Sequence, residues 1–169
     1  LDGHGQERFL QILAGLESPV SGRVVVGGGE NRKPIGRFRD AVRNGVVYVP
    51  RDRRATGIFP TLSVVDNFAM ATLERDTRFG LIGMKRRRRR FDGFRDKLSI
   101  ASPRPDAAIT TLSGGNQQKV LLARALALEP RIMLLNDPTR GVDVATRQVL
   151  YEVFRGLAAE GMPLVILST

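Results

Sequence analysis

Leu112-Ser113-Gly114-Gly115-Asn116-Gln117-Gln118, together with Ile132-Met133-Leu134-Leu135-Asn136-Asp137-Pro138-Thr139-Arg140-Gly141-Val142-Asp143, decides how this chain of 169 residues folds. Ser113, Gly114 and Gly115 predict a tight turn at the start of a helix. There the unpaired backbone N–H groups, the positive end of the helix dipole and one hydroxyl face outward and attract an anion. The same residues alone would also serve as a turn and N-cap before an amphipathic helix. Asn116 to Leu128 carries Val120, Leu121, Ala125 and Leu128 on one stripe, and Glu129-Pro130 ends it. Arg131 to Leu135 is then a continuous apolar run, the pattern of a parallel strand buried on both faces. Asp143 is a good N-cap for a helix from Val144 to about Ala159, after which Gly161 and Pro163 lead into an apolar strand, Leu164 to Ser168. Strand, helix and strand with short connections make a βαβ unit of an α/β sheet.

Working back toward the first residue, Asp2-Gly3-His4-Gly5 is a glycine turn. It feeds a helix with Phe9, Leu10, Ile12, Leu13 and Leu16 at helical spacing, broken by Glu17-Ser18-Pro19. A loop entering a helix N-terminus has the layout of a phosphate-binding loop. Arg23 to Val26 and Gly45 to Val49 read as short strands, closed by Gly27-Gly28-Gly29 and by Pro50. Between Arg51 and Thr111 the sequence turns helical and basic, with one helix near Val64 to Leu73 and another across Lys85 to Arg90. No internal repeat is visible.

A hydrophobic content of 42% over this length supports one sizeable core. The glycine loop at the very start and the strand ending at Thr169 read as a fragment of a larger polypeptide. With no cysteine and the single His4, neither a disulfide nor a thiolate or zinc site is expected, which fits a reducing compartment. No apolar run reaches the length of about 18 residues that a spanning helix needs. The formal charge of +10 concentrates in Lys85 to Arg90, joined by Arg95 and Lys97. That run could contact nucleic acid or anionic lipid, or form a solvated helix face with Phe91, Phe94 and Leu98 turned inward.

In four stretches the sequence resembles the ATP-binding cassette (ABC) ATPases. These are Gly3 to Leu10 beside Ser21-Gly22-Arg23; Tyr48-Val49-Pro50-Arg51-Asp52-Arg53 with Gly57 and Leu62-Ser63-Val64; the signature from Leu112 to Val120; and Asp137 to Asp143. The Asn-Gln-Gln-Lys-Val and Thr-Arg-Gly-Val-Asp endings are most similar to the second cassette of fused two-cassette bacterial importers of sugars and nucleosides. The resemblance implies a P-loop NTPase ABC cassette of the α/β class, with a RecA-like parallel-sheet core and an inserted helical subdomain, truncated at both ends. Residues 1–50 would form a partial core lobe, 51–115 the helical subdomain ending in the signature, and 116–169 the signature helix with a core βαβ unit.

It further implies ATP and Mg2+ as cofactors. Gly3, Gly5, Gln6, Glu7 and Arg8 stand at the phosphate loop, Asn136 at the magnesium-orienting position acting through water, and Asp137 at the catalytic carboxylate. Ser113, Gly114, Gly115 and Gln117 belong to the signature, and Val142 and Asp143 to the loop between cassettes. Three departures weaken this chain's own site. Gln6 and Glu7 replace the Lys and the hydroxyl of the family loop, so a charge-assisted bond worth about 1.5–3 kcal/mol becomes a neutral one of about 1. Asn136 and Asp137 replace Asp and Glu; the amide brings no counter-charge, and Asp137 is one methylene short. Arg51 stands where many cassettes place a glutamine, cannot be a metal ligand, and reads as a surface residue on the loop into the helical subdomain.

Each ATP in this family is clamped between the phosphate loop of one cassette and the signature of the other. The resemblance therefore implies a second cassette, fused or separate, membrane permease subunits, and indirectly a substrate-binding protein, at the cytoplasmic face of a bacterial cell membrane. Nucleic acid is not expected as a partner. The two readings held against this are a non-catalytic structural half and a soluble ABC-type nucleic-acid- or ribosome-associated ATPase using Lys85 to Arg90 as its arm.

Overall fold

The computed structural model describes residues 5–78, with the side chain of Arg78 excepted, and 81–168; Gly3 and His4 lie outside the described residues. Helix α1 (Gln6–Leu13) is followed by the antiparallel hairpin of β1 (Val24–Val26) and β2 (Lys33–Ile35), the short helix α2 (Phe38–Arg43) and strand β3 (Val46–Val49). A π-helical turn at Arg53–Gly57 leads to α3 (Val64–Ala69), a 3-10 turn at Met70–Thr72, and α4 (Leu73–Asp76). The hairpin β4 (Thr77–Arg78) and β5 (Leu81–Ile82) and the long helix α5 (Met84–Lys97) come next. The chain finishes with α6 (Gly114–Leu126), β6 (Ile132–Asn136), α7 (Val144–Ala159) and β7 (Leu164–Leu167).

Strands β3, β6 and β7 form a parallel sheet in the order β3-β6-β7, so the βαβ expectation holds for β6, α7 and β7. Alternation along the strands divides the interior. Val46 and Leu134 turn to one face, where they meet Leu10 and Ala14, Ile35 and Ala41. Val47, Val49, Met133 and Leu135 turn to the other, into the large cluster with α3, α5, α6 and α7. A strand buried on both faces reads as an unbroken apolar run, which is why Ile132 to Leu135 carries no polar residue.

Helix α6 differs from the single apolar stripe expected of it. It is buried nearly all round, including Gln117, Gln118 and Lys119, because β3, α3, α5 and α7 all pack against it. Its polar residues are anchored accordingly, with Lys119 Nζ donating to the Ser99 carbonyl at 2.9 Å. Burial holds the Lys119 ammonium pKa below its ordinary value, an effect opposed by the Asp143 carboxylate.

The basic run, Lys85 to Arg90, winds round the first turns of α5, and half of it is structural. Arg87 is buried and pairs with Asp66 at 2.6 Å; Arg90 pairs with the fully buried Asp76 at 2.7 Å and lies over the Phe68 ring; Arg88 pairs with Asp106. Lys85, Arg86 and Arg89 are exposed. Phe91 and Leu98 are buried as expected. Hairpin β4–β5 and the pair β2–α2 were not read from the sequence; each is too short to show a period.

Candidate functional site

Parallel pairing carries three sequence-distant groups to one place. Val49 is opposite Leu135, so two residues further on Arg51 comes abreast of Asp137 at the carboxyl ends of the strands, where open α/β sheets form their binding crevices. Helix α1, with Gly5 as its N-cap, contacts β6 and brings Glu7 to the same spot. Arg51 Nη1 lies 3.8 Å from Glu7 Oε2, and Arg51 Nε 3.7 Å from Asp137 Oδ2. With its side chain 19% exposed, Arg51 is therefore a central member of the site and not the surface residue the sequence suggested. Its position depends on strand register, which no local pattern reveals. Arg8, by contrast, turns away to pair with Glu17 at 2.7 Å on the surface.

Asp137 adopts φ of 46°, a left-handed conformation that Asp tolerates better than most residues. Its amide donates to the Leu167 carbonyl at 2.7 Å and its carbonyl accepts from Arg140 at 3.0 Å, so the backbone on both sides holds the strained turn in place. Asn136 is wholly buried; its Nδ2 donates to Tyr48 Oη at 2.9 Å, while its Oδ1 has no partner. Burial raises the Tyr48 phenol above its usual pKa, the Asn136 bond opposes that shift, and the Glu7 charge adds to it.

The Mg2+ that the resemblance implies does not fit this donor set. Gln6 and Asn136 are neutral, the two acids, Glu7 on α1 and Asp137 after β6, lie within ion-pair distance of a guanidinium, and one orphaned amide oxygen is no octahedral cage. Among the described residues no group of three or more His, Cys, Asp or Glu could hold a metal.

The signature turn stands apart from this crevice and is braced from behind. Ser113 is exposed and caps α6, its Oγ accepting from the Asn116 amide at 3.4 Å and from Asn116 Nδ2 at 3.0 Å. Asn116 Oδ1 in turn accepts from the Ala101 amide at 2.8 Å. Gln117 turns inward and donates to the Leu112 carbonyl at 3.0 Å, fixing the residue that precedes the turn. The glycines are explained by close approach. A Cβ on Gly114 would come within 2.5 Å of Arg53 Nη2, and one on Gly115 within 2.5 Å of Thr146 Oγ1. Thr146 Cγ2 and Cβ would lie at 2.8 and 3.0 Å as well, so turning the side chain about χ1 does not clear the contact. Gly115→Ala is therefore expected to destabilise the protein by about 1–3 kcal/mol, read as a lower urea midpoint at unchanged slope.

Arg53 is the residue that the sequence reading left without a role. Only 9% exposed, it donates from Nη1 to the Arg140 carbonyl at 2.8 Å and from Nη2 to the Gly141 carbonyl at 3.1 Å, while resting against Gly114. It thus ties the π-helical turn, the signature and the 140–141 loop together, and burial lowers its pKa. Asp143 follows that loop and acts as the N-cap of α7. One carboxylate oxygen accepts from the Thr146 amide at 2.9 Å and the other from its hydroxyl at 2.8 Å, and these bonds, the amide first, hold its pKa below the usual carboxylate range.

A groove of about 510 Å3 adjoins the crevice at the strand ends, sharing Glu7, Tyr48 and Arg51 with it and continuing past Phe38, Phe59 and Arg124. Phe38 and Phe59 are exposed within it, and Arg124 lies 5.7 Å from the Phe59 ring centroid while donating to the Gly57 carbonyl.

Comparison with known proteins places these features in context. Residues 2–140 match the family described as ABC transporter. The chain is 40% identical over 173 residues to a ribose import ATP-binding protein, RbsA 1, of Rhizobium johnstonii, covering all of this chain and 33% of that protein. It is 36% identical over 169 residues to the ribose import ATP-binding protein RbsA of Yersinia pestis, again covering all of this chain and 33% of its relative. The chain thus spans about a third of the length of the curated relatives it matches. Among solved structures it is similar to a dimeric ATP-binding cassette in a post-hydrolysis state bound to ADP and Pi. That match has a TM-score of 0.78 and 24% identity, covering 98% of this chain and 69% of the other. A second fold match, to an inward-facing putative metal-chelate type ABC transporter, has a TM-score of 0.73 at 24% identity, covering all of this chain and 60% of the other.

Proposed function

This chain belongs to the ABC transporter family, and from that premise we propose that it is part of the nucleotide-binding subunit of a sugar or nucleoside importer, coupling ATP binding and hydrolysis to transport. The ribose import names of its relatives support the sugar class. The observation that carries the reading is the contrast between its two sites. Ser113, Gly114 and Gly115 form an intact, rigidly braced anion-binding turn, whereas the strand-end site of Gly5, Gln6, Glu7, Asn136 and Asp137 has lost its metal-binding character.

The turn completes an ATP site whose phosphate loop and catalytic carboxylate come from a second cassette. Serine hydroxyl and backbone amides there meet the γ-phosphate as charge develops on it. Gly3, lying outside the described residues, belongs with the chain's own loop; Arg8 lends it no charge, since Glu17 holds it. Gln117 positions the signature and Asp143 the loop between cassettes. Residues 51–115 act as the helical subdomain between core pieces 1–50 and 116–169, and the apolar groove beside Arg51 receives a helix of a membrane permease. ATP and Mg2+ serve the assembly, which works at the cytoplasmic face of the membrane with a substrate-binding protein delivering the cargo.

Among the described residues no helix is long and apolar enough to cross a membrane, so attachment to the bilayer in this reading comes through the permease. The nucleic-acid reading loses ground because Arg87, Arg88 and Arg90 are engaged by Asp66, Asp106 and Asp76. The test is reconstitution of the full-length protein with its permease in lipid vesicles. ATP turnover that rises with the binding protein and its sugar is expected, and turnover indifferent to permease and sugar overturns the reading.

A further inference from the structure

We propose that Arg51 is a built-in counter-ion in the place of a metal, so that the strand-end site of this chain takes nucleoside polyphosphate without a divalent cation. The inference rests on the reading of this chain as a nucleotide-binding cassette and deepens it. Its first support is the guanidinium lying between two carboxylates from different elements, 3.8 Å from Glu7 and 3.7 Å from Asp137. Glu7 stands on the loop helix, where the resemblance implies a Mg2+-holding hydroxyl, and Asp137 at the strand end, beside the magnesium-orienting position of Asn136. A guanidinium held there offsets one of the two negative charges and occupies the space between them, so a divalent cation entering it meets a positive charge already in place. Its side chain is 19% exposed and that of Asp137 8%, so the charges interact through a medium less polarisable than bulk water.

A second observation concerns the adjoining surface. Arg51 also lines a cleft of about 360 Å3 whose other walls are Asp52, Arg53, Arg54, Arg140 and Gly141. Four guanidinium groups surround it with a single acid. That acid is already engaged, since Asp52 Oδ1 accepts from the amides of Arg54 and Ala55 at 2.9 and 3.0 Å. A polyanion arriving here meets positive potential supplied by the protein itself: the Arg53 fork is committed to the Arg140 and Gly141 carbonyls and contributes charge only, while exposed Arg54 and Arg140 can turn their forks to phosphate oxygens. The third support is charge: with Asn136 Nδ2 donating to Tyr48, the residue turns only a neutral, unpartnered Oδ1 to the strand end and brings no counter-charge for a divalent cation.

The test uses hydrogen-exchange mass spectrometry on the full-length protein, which reads this site separately from any other nucleotide site in the same polypeptide. The probe is ATP, titrated once with EDTA and once with Mg2+. Protection of peptides covering 5–13 and 48–54 is expected at the same half-saturating ATP concentration in both series. Arg51→Gln is expected to raise that concentration about tenfold or more in EDTA and to make protection depend on Mg2+, while R51K, which keeps the charge, stays metal-independent. Wild-type protection that appears only with Mg2+, or an R51Q titration in EDTA equal to wild type, overturns the role of Arg51 while leaving nucleotide binding intact. Absence of protection in both series and all three proteins overturns nucleotide binding at this site, and the inference with it.

Discussion

Ser113→Arg in the full-length protein is expected to lower ATP turnover about a hundredfold or more, with little change in the fold. Ser113 is exposed and its hydroxyl serves only the local cap with Asn116, so losing it costs about 1 kcal/mol of helix stability. The effect on turnover comes from elsewhere. A side chain of that bulk, set at the mouth of the turn, prevents the γ-phosphate of a partner cassette from reaching the backbone amides behind it. Removing one preorganised donor from a developing charge typically costs two to three orders of magnitude in rate. Steady-state turnover together with nucleotide protection at residues 5–13 separates the alternatives. In the proposed arrangement turnover collapses and protection at this chain's own loop persists. Unchanged turnover would assign the signature a structural role only.

The second large effect is expected far from any nucleotide. Arg90→Ala should destabilise the protein by about 3–5 kcal/mol, because it strands the Asp76 carboxylate, whose side chain is 0% exposed, without its cation. Arg90 also donates to Thr72 Oγ1 at 2.7 Å and covers the Phe68 ring, so packing is lost with the charge. Arg86→Ala, on the exposed side of the same helix, is expected to stay within about 0.5 kcal/mol of wild type. The urea midpoints of the two variants decide the matter. Equal and small shifts would mean that the arginine run is a surface feature throughout, and would return weight to its use as a binding arm.

The parts of this molecule that could be read from sequence are those whose signal is local. Ile132 to Asn136 is apolar because both sheet faces are covered, Asp143 announces the start of α7 through a capping oxygen, and Ser113 does the same for α6. The βαβ unit followed from these, and the ATP-binding cassette fold from the family resemblance carried by the short motifs around them. What escaped was set by contacts between residues far apart in the chain. Arg51 reaches Asp137 only because β3 pairs with β6 in one register. Arg53 looks like its neighbour Arg54 in the sequence, yet one is buried against the 140–141 loop and the other is exposed. Arg87 and Arg90 likewise stand in an unbroken run of arginines, and only the acids brought to them by α3 and α4 distinguish them from the rest. Gln117 carries no sequence sign that its amide serves Leu112 instead of facing outward with Ser113.

Arg53 joins the signature turn to the loop at 140–141 as one mechanical unit. Its two hydrogen bonds and its contact with Gly114 leave the signature turn and the loop at 140–141 without independent positions. A displacement imposed at either is carried to the other. In the proposed two-cassette arrangement, nucleotide at the turn and a neighbouring cassette at the loop would therefore act on one shared unit, and linkage would make their influence mutual: whatever factor the neighbour adds to nucleotide affinity, nucleotide must return to the affinity for the neighbour.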